Sequence, residues 1–334
     1  MRFVKTYWLE MLMVIPLFAY LIGFTLLPIL SNIKESFIDQ RFGRRYDILV
    51  SKIADITYDI AHAHEGEEKR DYEKELAEST LALERLQHAP YAGLSLSNYR
   101  KLFTDRSFVK AIVNTMAITL MGLSVQLVIA MSIALLLSQP FHGKGFFRTI
   151  VLTPLGIPTI VSATIMTYIF GTSGYLNEAL YKLGLLGEVP IDWAQGGWLS
   201  ICMVVFADTW KVLPLMVLLF IAGLEAIPQS VHEASQIDGS PPLYKFFTVT
   251  LPLMKPCITI ALILRAIDAF RIFELPLILA GTATTPLIST FTYSEYARQN
   301  YNLSAASGTI LTGIILIFVF TYLSIVERDR ETHA

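Results

Sequence analysis

The sequence predicts an all-α integral membrane protein with six transmembrane helices, on the strength of its composition, its apolar stretches and its basic residues. The chain has 334 residues, of which 54% are hydrophobic and 16% are charged, and its mean hydropathy is +0.53. Soluble domains carry about 25% charged residues, so this chain is too apolar for an ordinary globular protein. A helix needs about 20 mostly apolar residues to cross a bilayer, and the chain has six such stretches.

Four of these stretches contain no charged residue, and two contain several. The uncharged stretches are residues 11–33, 111–141, 149–177 and 303–326. The charged stretches are about 198–224, with Asp208 and Lys211, and about 251–280, with Arg265, Asp268, Arg271 and Glu274. The first stretch is longer than the apolar part of a signal peptide and no small-residue cleavage site follows it, so we expect a retained transmembrane helix.

The basic residues near the ends of the stretches predict that both termini face the cytoplasm. Lys and Arg concentrate in the short cytoplasmic segments of membrane proteins. With the N-terminus inside, the inner segments hold Arg2, Lys5, Lys144, Arg148, Lys245, Lys255, Arg328 and Arg330. The short outer segments hold only Lys182 and Arg298, and the outer segment 31–107 is long enough to be exempt from the bias.

Residues 44–90, within this long outer segment, have the pattern of a helical hairpin. The apolar residues on one predicted helical face are Leu49, Ile53, Ile56 and Ile60, and those on the second are Tyr72, Leu76, Leu83 and Leu86. Such faces are typical of amphipathic helices that pack on each other or on a neighbour. A docking surface for another protein is the alternative.

The sequence lacks the patterns of a catalytic, metal or nucleotide-binding site. Its 26 Lys and Arg balance 28 Asp and Glu, which argues against a nucleic-acid partner. None of its six histidines lies in an apolar stretch or has a Cys or carboxylate at metal-ligand spacing. No phosphate-binding G-x-x-x-x-G-K-[ST] pattern occurs. We therefore expect no catalytic residue, no metal site and no cofactor in this chain.

The loop 225–252, on the predicted cytoplasmic side, contains a short helix pattern. It runs from Gln229 to about Asp238, between Pro228 and Gly239. Ser230 and Glu233 have the spacing of a capping box at the start of this helix. The apolar stripe predicted for one of its faces is formed by Val231, Ala234 and Ile237.

The spacing of residues in this loop resembles the EAA loop of ABC-importer permeases. The matching residues are Glu233-Ala234-Ser235, then Gly239, then Val249-Thr250-Leu251-Pro252. Asp238-Gly239-Ser240 and Trp210-Lys211 with Pro214 are similar to the carbohydrate-uptake branch, the maltose-type and glycerol-phosphate-type permeases. The resemblance covers roughly residue 98 to the C-terminus and the first span. Ser235 and Val249 depart from the usual alanine and isoleucine.

The resemblance implies a type I ABC importer permease fold, with the hairpin 44–90 as an extracytoplasmic insertion. It implies coupling to an ATP-hydrolysing subunit through Glu233, Ala234, Ser235, Asp238, Gly239, Leu251 and Pro252. ATP and Mg would be bound by that partner subunit and not by this chain. The other implied partners are a second homologous permease, a second copy of the ATP-binding subunit, an extracytoplasmic binding protein, a sugar-like solute and membrane lipid.

The predicted organisation follows from these segments. Residues 1–30 are the cytoplasmic N-terminus and the first transmembrane helix, and residues 31–107 are extracytoplasmic. Residues 108–326 are the permease core, with five transmembrane helices and the coupling loop 225–252. Residues 327–334 are a cytoplasmic tail. The implied location is the cytoplasmic (inner) membrane, with multiple spans.

The charges inside the fourth and fifth stretches have two interpretations. A charge at the bilayer centre is costly, so it is usually paired or faces water. Asp208 and Lys211 have the spacing of a pair on one helix, and Arg265, Asp268, Arg271 and Glu274 in the fifth stretch alternate in sign at steps of three. Alternatively, polar groups line a path for a polyhydroxylated solute. The candidates for that path are Trp210, Asp268, Arg271, Tyr293, Tyr296 and Asn300.

Two functions fit the sequence at this point. The first is the transmembrane subunit of an ATP-driven importer, forming half of the path for a sugar or oligosaccharide that a binding protein delivers. The alternative is a self-sufficient secondary transporter or channel, in which the charged fifth stretch acts as an ion relay.

Overall fold

The computed structural model describes residues 8–38, 40–62, 67–88, 95–237 and 239–333, which form helices joined by turns, with no β-strand among them. The helices before residue 105 are α1 (Trp8–Leu21), a π-helical turn (Ile22–Leu26), α2 (Leu27–Ser36), α3 (Gln40–His62), α4 (Glu67–His88) and α5 (Ser97–Thr104). Those up to residue 237 are α6 (Arg106–Ser138), α7 (Lys144–Leu152), a 3-10 turn (Thr153–Gly156), α8 (Thr159–Phe170), α9 (Tyr175–Lys182), α10 (Gly197–Glu225) and α11 (Gln229–Ile237). The remaining ones are α12 (Pro242–Lys245), a π-helical turn (Phe246–Thr250), α13 (Leu251–Phe270), α14 (Glu274–Leu279), α15 (Gly281–Thr284), α16 (Ile288–Ala297) and α17 (Tyr301–His333).

Within the described residues, five helical stretches are long and apolar enough to cross a membrane, and a bent pair of helices makes a sixth. The five are Met13–Ser36, Arg106–Ser138, Gly197–Glu225, Pro242–Phe270 and Tyr301–Val326. The bent pair is Lys144–Gly156 and Thr159–Lys182. The predicted six spans agree with this count when the bent pair is one span.

Two spans differ from the uninterrupted stretches that hydropathy predicts. The two parts of the third span meet at 103°, with Pro154 and Pro158 at the bend. Proline lacks an amide hydrogen and clashes with the preceding helical turn, so it breaks a helix at its interior but is tolerated in the first turn. The fifth span ends at Phe270, short of the predicted residue 280, and Pro276 lies in the first turn of the next helix, α14.

Both π-helical turns precede a Leu-Pro pair, Leu27-Pro28 and Leu251-Pro252. A π-helical turn inserts one extra residue into the helical hydrogen-bond pattern. The altered spacing accommodates the missing amide donor of the proline without ending the helix. The chain therefore continues as a helix from Pro242 to Phe270.

The chain divides into two compact units, one formed by residues 1–105 and 292–310 and the other by residues 106–291 and 311–334. In the first unit, α3 and α4 contact each other, and Lys52 forms an ion pair with Glu75 at 2.8 Å. The predicted apolar face of α3 is confirmed, because Leu49, Ile53, Ile56 and Ile60 are its partly or fully buried described residues and the others are exposed. On α4, Tyr72, Leu76 and Leu83 are partly buried, and the side chain of Leu86 lies outside the described part.

Amide side chains hold the end of α2 in the first unit. Asn98 donates hydrogen bonds to the carbonyl oxygens of Ser36 at 2.9 Å and Ile38 at 2.7 Å. Asn302 donates to the carbonyl oxygen of Glu35 at 3.1 Å. The last carbonyl groups of a helix have no partner within it, so these bonds complete the C-terminus of the first span.

The second unit has two apolar clusters, both of which include residues of α6 and α10. The first joins these helices to α8 and α14, with Met166, Val204 and Leu275 among its buried members. The second joins them to α13 and contains Phe220 and Met254, which are almost fully buried. Since α10 contributes to both clusters, it is the central helix of this unit.

A glycine brings α10 and α13 into close contact. A Cβ atom built on Gly223 would lie 2.7 Å from the Sγ of Cys257 and 3.0 Å from the Sδ of Met254. Small residues at helix contacts in membranes let backbones approach closely and gain van der Waals contacts.

Replacing Gly223 with Ala is therefore expected to lower the thermal stability of the purified protein. Forcing an extra carbon into a packed contact costs typically about 1–3 kcal/mol. Gly313→Ala is the control, because no atom lies within 4 Å of a Cβ built there. Equal unfolding temperatures for the two variants would show that this helix contact is loose.

Candidate functional site

The short helix of the loop 225–252 is α11, and a glycine follows its last described residue, as the sequence predicts. Gly239 has a φ of +67°, a left-handed conformation that other residues rarely adopt. Its amide donates to the carbonyl of Gln236 at 3.0 Å, and the amide of Ser240 donates to the carbonyl of Ser235 at 3.2 Å. These two bonds are a Schellman motif, which terminates the helix. Asp238, predicted as a coupling residue, lies outside the described residues.

The capping box predicted for α11 is wrong. The helix begins at Gln229, which places Ser230 inside its first turn and Pro228 in the position before it. The carbonyl of Pro228 accepts a bond from the amide of Val231 at 3.1 Å. Because Pro228 cannot continue a preceding helix, it fixes the start of α11 two residues earlier than a cap at Ser230 would.

One side of α11 packs against the apolar core of the second unit, and the other side is exposed. Val231 packs against the apolar cluster of α6, α10 and α13, to which Ile227 also belongs. Ile237 is 87% exposed, and Glu233 and Ala234 are exposed as well. The predicted apolar stripe is therefore split, since Val231 reaches the core whereas Ala234 and Ile237 are exposed.

Ser235 departs from the alanine of the EAA pattern and lies in the second turn of α11. The side chain is buried, and its hydroxyl has no hydrogen-bond partner among the described residues. It therefore fills a small space in the way that an alanine would.

Apolar side chains also face outward after α11. Leu243, Tyr244 and Phe247 are each more than half exposed. The remaining coupling candidates follow them, with Leu251 partly buried and Pro252 exposed at the start of α13. Leu243, Tyr244 and Phe247 belong to the helical stretch Pro242–Phe270, which is long and apolar enough to cross a membrane.

The centre of the second unit contains a buried polar network formed by Gln126, Asp208, Thr209 and Arg265. Arg265 donates to the Oδ2 of Asp208, and its Nε donates to the Oε1 of Gln126 at 2.8 Å. The Nε2 of Gln126 donates to the same Asp208 oxygen at 2.9 Å and to the Oγ1 of Thr209 at 3.3 Å. The network joins α6, α10 and α13, and Arg265 and Asp208 are about 6% and 5% exposed.

The predicted pairing of Asp208 with Lys211 is wrong. Asp208 accepts from Arg265 and Gln126, while Lys211 donates to the carbonyl oxygens of Pro154 at 2.9 Å, Leu155 at 3.4 Å and Ile157. A guanidinium presents a planar set of donors that matches a carboxylate better than an ammonium does. The ammonium instead reaches the backbone acceptors at the bend of the third span.

The alternating charges of the fifth stretch do not form one continuous row of pairs. Arg271 donates to the Oδ1 of Asp268 at 2.8 Å, and both side chains are more than half exposed. Arg265 faces the buried network, and Glu274 is exposed in the first turn of α14. Asp268 and Arg271 therefore neutralise each other, whereas the charge of Arg265 is neutralised by Asp208 on another helix.

The six candidates for the solute path fall in both units. In the second unit, Asp268 and Arg271 form the exposed pair, and Trp210 packs against the cluster of α6, α8, α10 and α14. In the first unit, Tyr293 and Tyr296 are exposed. Asn300 donates to the Oε2 of the buried Glu295 at 2.8 Å, and the rings of Tyr296 and Tyr301 meet edge to face at 5.4 Å.

Sequence reasoning missed Gln126 as a member of the buried network. The available signal was the position of this amide in the middle of the apolar stretch 111–141. A polar side chain in hydrocarbon needs a partner on a neighbouring helix. The identity of that partner depends on tertiary packing, which the sequence does not contain.

Removing one charge of the network is expected to destabilise the protein more than removing both. Arg265→Met leaves the Asp208 carboxylate buried and unpaired, which costs about 3–5 kcal/mol, whereas an apolar replacement of both partners is often neutral. The variants are Arg265→Met, Asp208→Leu and their combination, compared by thermal unfolding. Arg271→Met is the control, since exposed pairs contribute about 0–1 kcal/mol. Additive losses in the double variant would contradict the pairing.

Comparisons with known proteins show a family match and relatives that are similar over most of this chain. Residues 126–330 match the family described as binding-protein-dependent transport system inner membrane component. The trehalose/maltose transport system permease protein MalF of Thermococcus litoralis is 35% identical over 246 residues, which are 72% of this chain and 82% of the relative. The trehalose transport system permease protein SugA of Mycobacterium tuberculosis is 32% identical over 240 residues, 70% of this chain and 75% of the relative.

A solved structure has the same fold over nearly the whole chain. It is a bacterial alginate ABC transporter in complex with an alginate pentasaccharide-bound periplasmic protein, with a TM-score of 0.74 and 18% identity over 98% of this chain and 97% of that one. The all-helical, multi-span fold is therefore that of a type I ABC importer permease. The chain belongs to the family of binding-protein-dependent transport system inner membrane components, the permease subunits of ABC importers.

Proposed function

We propose that this chain forms half of the translocation path for a sugar or oligosaccharide in an ATP-driven importer. A second homologous permease supplies the other half, two ATP-binding subunits hydrolyse ATP with Mg, and an extracytoplasmic binding protein delivers the solute. The observation that carries the proposal is the helix α11, which is anchored by Val231 and presents Glu233 and Ile237 outward.

The basic residues support a cytoplasmic position for α11. Lys144 and Arg148 lie in α7, and Lys245 and Lys255 follow α11 in the sequence, on either side of the second π-helical turn. Basic residues at span ends favour the cytoplasmic face. On that face α11 is accessible to an ATP-binding subunit, the termini are cytoplasmic, and the segment 31–107 with its helical hairpin is extracytoplasmic, where the binding protein arrives.

The contacts of α11 provide a route by which its displacement moves the spans. Ile227 and Val231 belong to or pack against the apolar cluster of α6, α10 and α13. After Gly239 the chain continues as one helix from Pro242 to Phe270. Closure of the ATP-binding subunits therefore pulls on α10 through Ile227 and on α13 through its N-terminal extension, and opens the path to the outside.

Distorting the end of α11 is expected to reduce both transport and the ATP hydrolysis that the solute stimulates. Gly239→Val places a β-branched residue at a φ of +67°, which costs about 1–2 kcal/mol and displaces the Schellman turn. Uptake and solute-stimulated ATP hydrolysis of the assembled complex should fall severalfold, with normal membrane insertion, and Glu233→Lys should have the same effect.

The matched control for that experiment is Gly143→Val. Gly143 has a φ of +85° in the turn between α6 and α7, so the substitution introduces a similar backbone strain in a different turn. Near-normal transport is expected for this control. Unimpaired transport by both the Gly239 and Glu233 variants would refute the coupling role of α11.

The solute is proposed to be a sugar, on the basis of the relatives and of the polar groups in the spans. The relatives above carry trehalose or maltose in their names. Sugars are bound by paired hydrogen-bonding groups and aromatic rings. Asp268 and Arg271 form an exposed pair at the end of the fifth span, and Trp210, Tyr293, Tyr296 and Asn300 are the proposed rings and amide of the path.

Neutralising the exposed pair tests this path. The double variant Asp268→Asn, Arg271→Gln should reduce uptake severalfold and change the preference among competing sugars, without altering thermal stability, because an exposed pair contributes about 0–1 kcal/mol. The control variant Glu178→Gln, Lys182→Gln removes another exposed pair, at 2.6 Å on α9. Wild-type uptake and preference in the path variant would remove Asp268 and Arg271 from the path.

A further inference from the structure

The bend in the third span exposes backbone carbonyl groups inside an apolar region. The 3-10 turn contains Pro154, and Pro158 is the residue before α8; neither proline has an amide hydrogen to donate. The carbonyl of Pro154 accepts from the amide of Ile157 at 3.3 Å, and the carbonyl of Pro158 accepts from Ser162 at 2.9 Å. In hydrocarbon, the carbonyl groups at such a break need further donors, since no water is present.

Lys211 supplies those donors from the middle of the fourth span. It is the fifteenth of the 29 residues of α10, so about 21 Å of helix lies on either side of it. Its ammonium group reaches the carbonyl oxygens of Pro154, Leu155 and Ile157. An ammonium has three hydrogens, and three acceptors face it, so its donors and the acceptors of the bend match in number.

Among the described residues of the second unit, no carboxylate forms an ion pair with this lysine. The nearest acidic residue on its own helix, Asp208, accepts from Arg265 and Gln126 in the buried network. The 3-10 turn also packs against α10, so the contact of Lys211 is part of a broader interface. A straightened third span would separate the three carbonyl groups from one another and from the ammonium.

We propose that Lys211 is a positioning residue, which holds the bend of the third span at one angle throughout the transport cycle and does not contact the solute. The transport cycle in this proposal rests on the proposed function. The contacts of Lys211 with the bend are observed in the structure and do not depend on that function.

Distances between two spin labels across the bend test the proposal in the assembled complex. Labels replace Phe146 on α7 and Tyr168 on α8, whose side chains are 68% and 69% exposed, after Cys202 and Cys257 are changed to Ala. We expect one narrow distance distribution that is the same without nucleotide and in an ATP-trapped state. A shift of the distance distribution between the two states would overturn the proposal. This test uses a chain that keeps Lys211.

Substitutions of Lys211 separate positioning from ordinary packing. Lys211→Met keeps the length of the side chain and removes its donors, and it should broaden the distribution in both states. Lys211→Arg keeps a cation with several donors and should restore the wild-type distribution. The control Lys182→Met removes an exposed lysine and should change nothing. An unchanged distribution in Lys211→Met would overturn the proposal.

Uptake measurements distinguish positioning from solute contact. Lys211→Met should lower the maximal uptake rate severalfold at an unchanged half-saturating solute concentration, with partial rescue in Lys211→Arg. An altered half-saturating concentration or solute preference would overturn the proposal. If the wild-type complex showed no ATP-dependent uptake at all, the proposed function would fail, while the label distances measured without nucleotide would still decide the role of Lys211.

Discussion

The absence of water in the hydrocarbon core is the constraint on which the rest of this structure depends. A polar group placed there must find a partner within the protein. The second unit satisfies this requirement around one helix, α10: Asp208 is paired through Arg265 and Gln126 with two other spans, and Lys211 is bonded to the bend of a third. Each of these polar residues would be costly to bury without a partner. Because their partners lie on other spans, they hold four spans in one arrangement.

Some charged and apolar side chains lie on the surface of the protein, and their exposure indicates what surrounds them. Asp268 and Arg271 remain more than half exposed at the end of the fifth span, which is tolerated in a water-filled path and costly in lipid. Ile237 is almost fully exposed on α11, which is tolerated where a partner covers it and unfavourable in water. An ion relay requires mobile charges along the fifth span, whereas Arg265 is bonded inside the buried network.

The sequence predicted the features that depend on local pattern. The six spans follow from apolar length, the buried face of α3 follows from the spacing of Leu49, Ile53, Ile56 and Ile60, and the end of α11 follows from the conformational freedom of Gly239. It did not predict features that depend on which helices meet. Asp208 had a plausible partner three residues away, and only the tertiary packing shows that a guanidinium from another helix takes its place.

The most direct test of the central claim is a photocrosslink from α11 in the intact complex. A photoreactive amino acid replaces Ile237, and a second sample carries it at Val128, which is 65% exposed in the middle of α6. We expect the Ile237 sample to crosslink to the ATP-binding subunit and the Val128 sample not to do so. Crosslinks from Ile237 to lipid alone, or none to the ATP-binding subunit, would contradict the proposed role of α11 in transmitting the force of ATP hydrolysis.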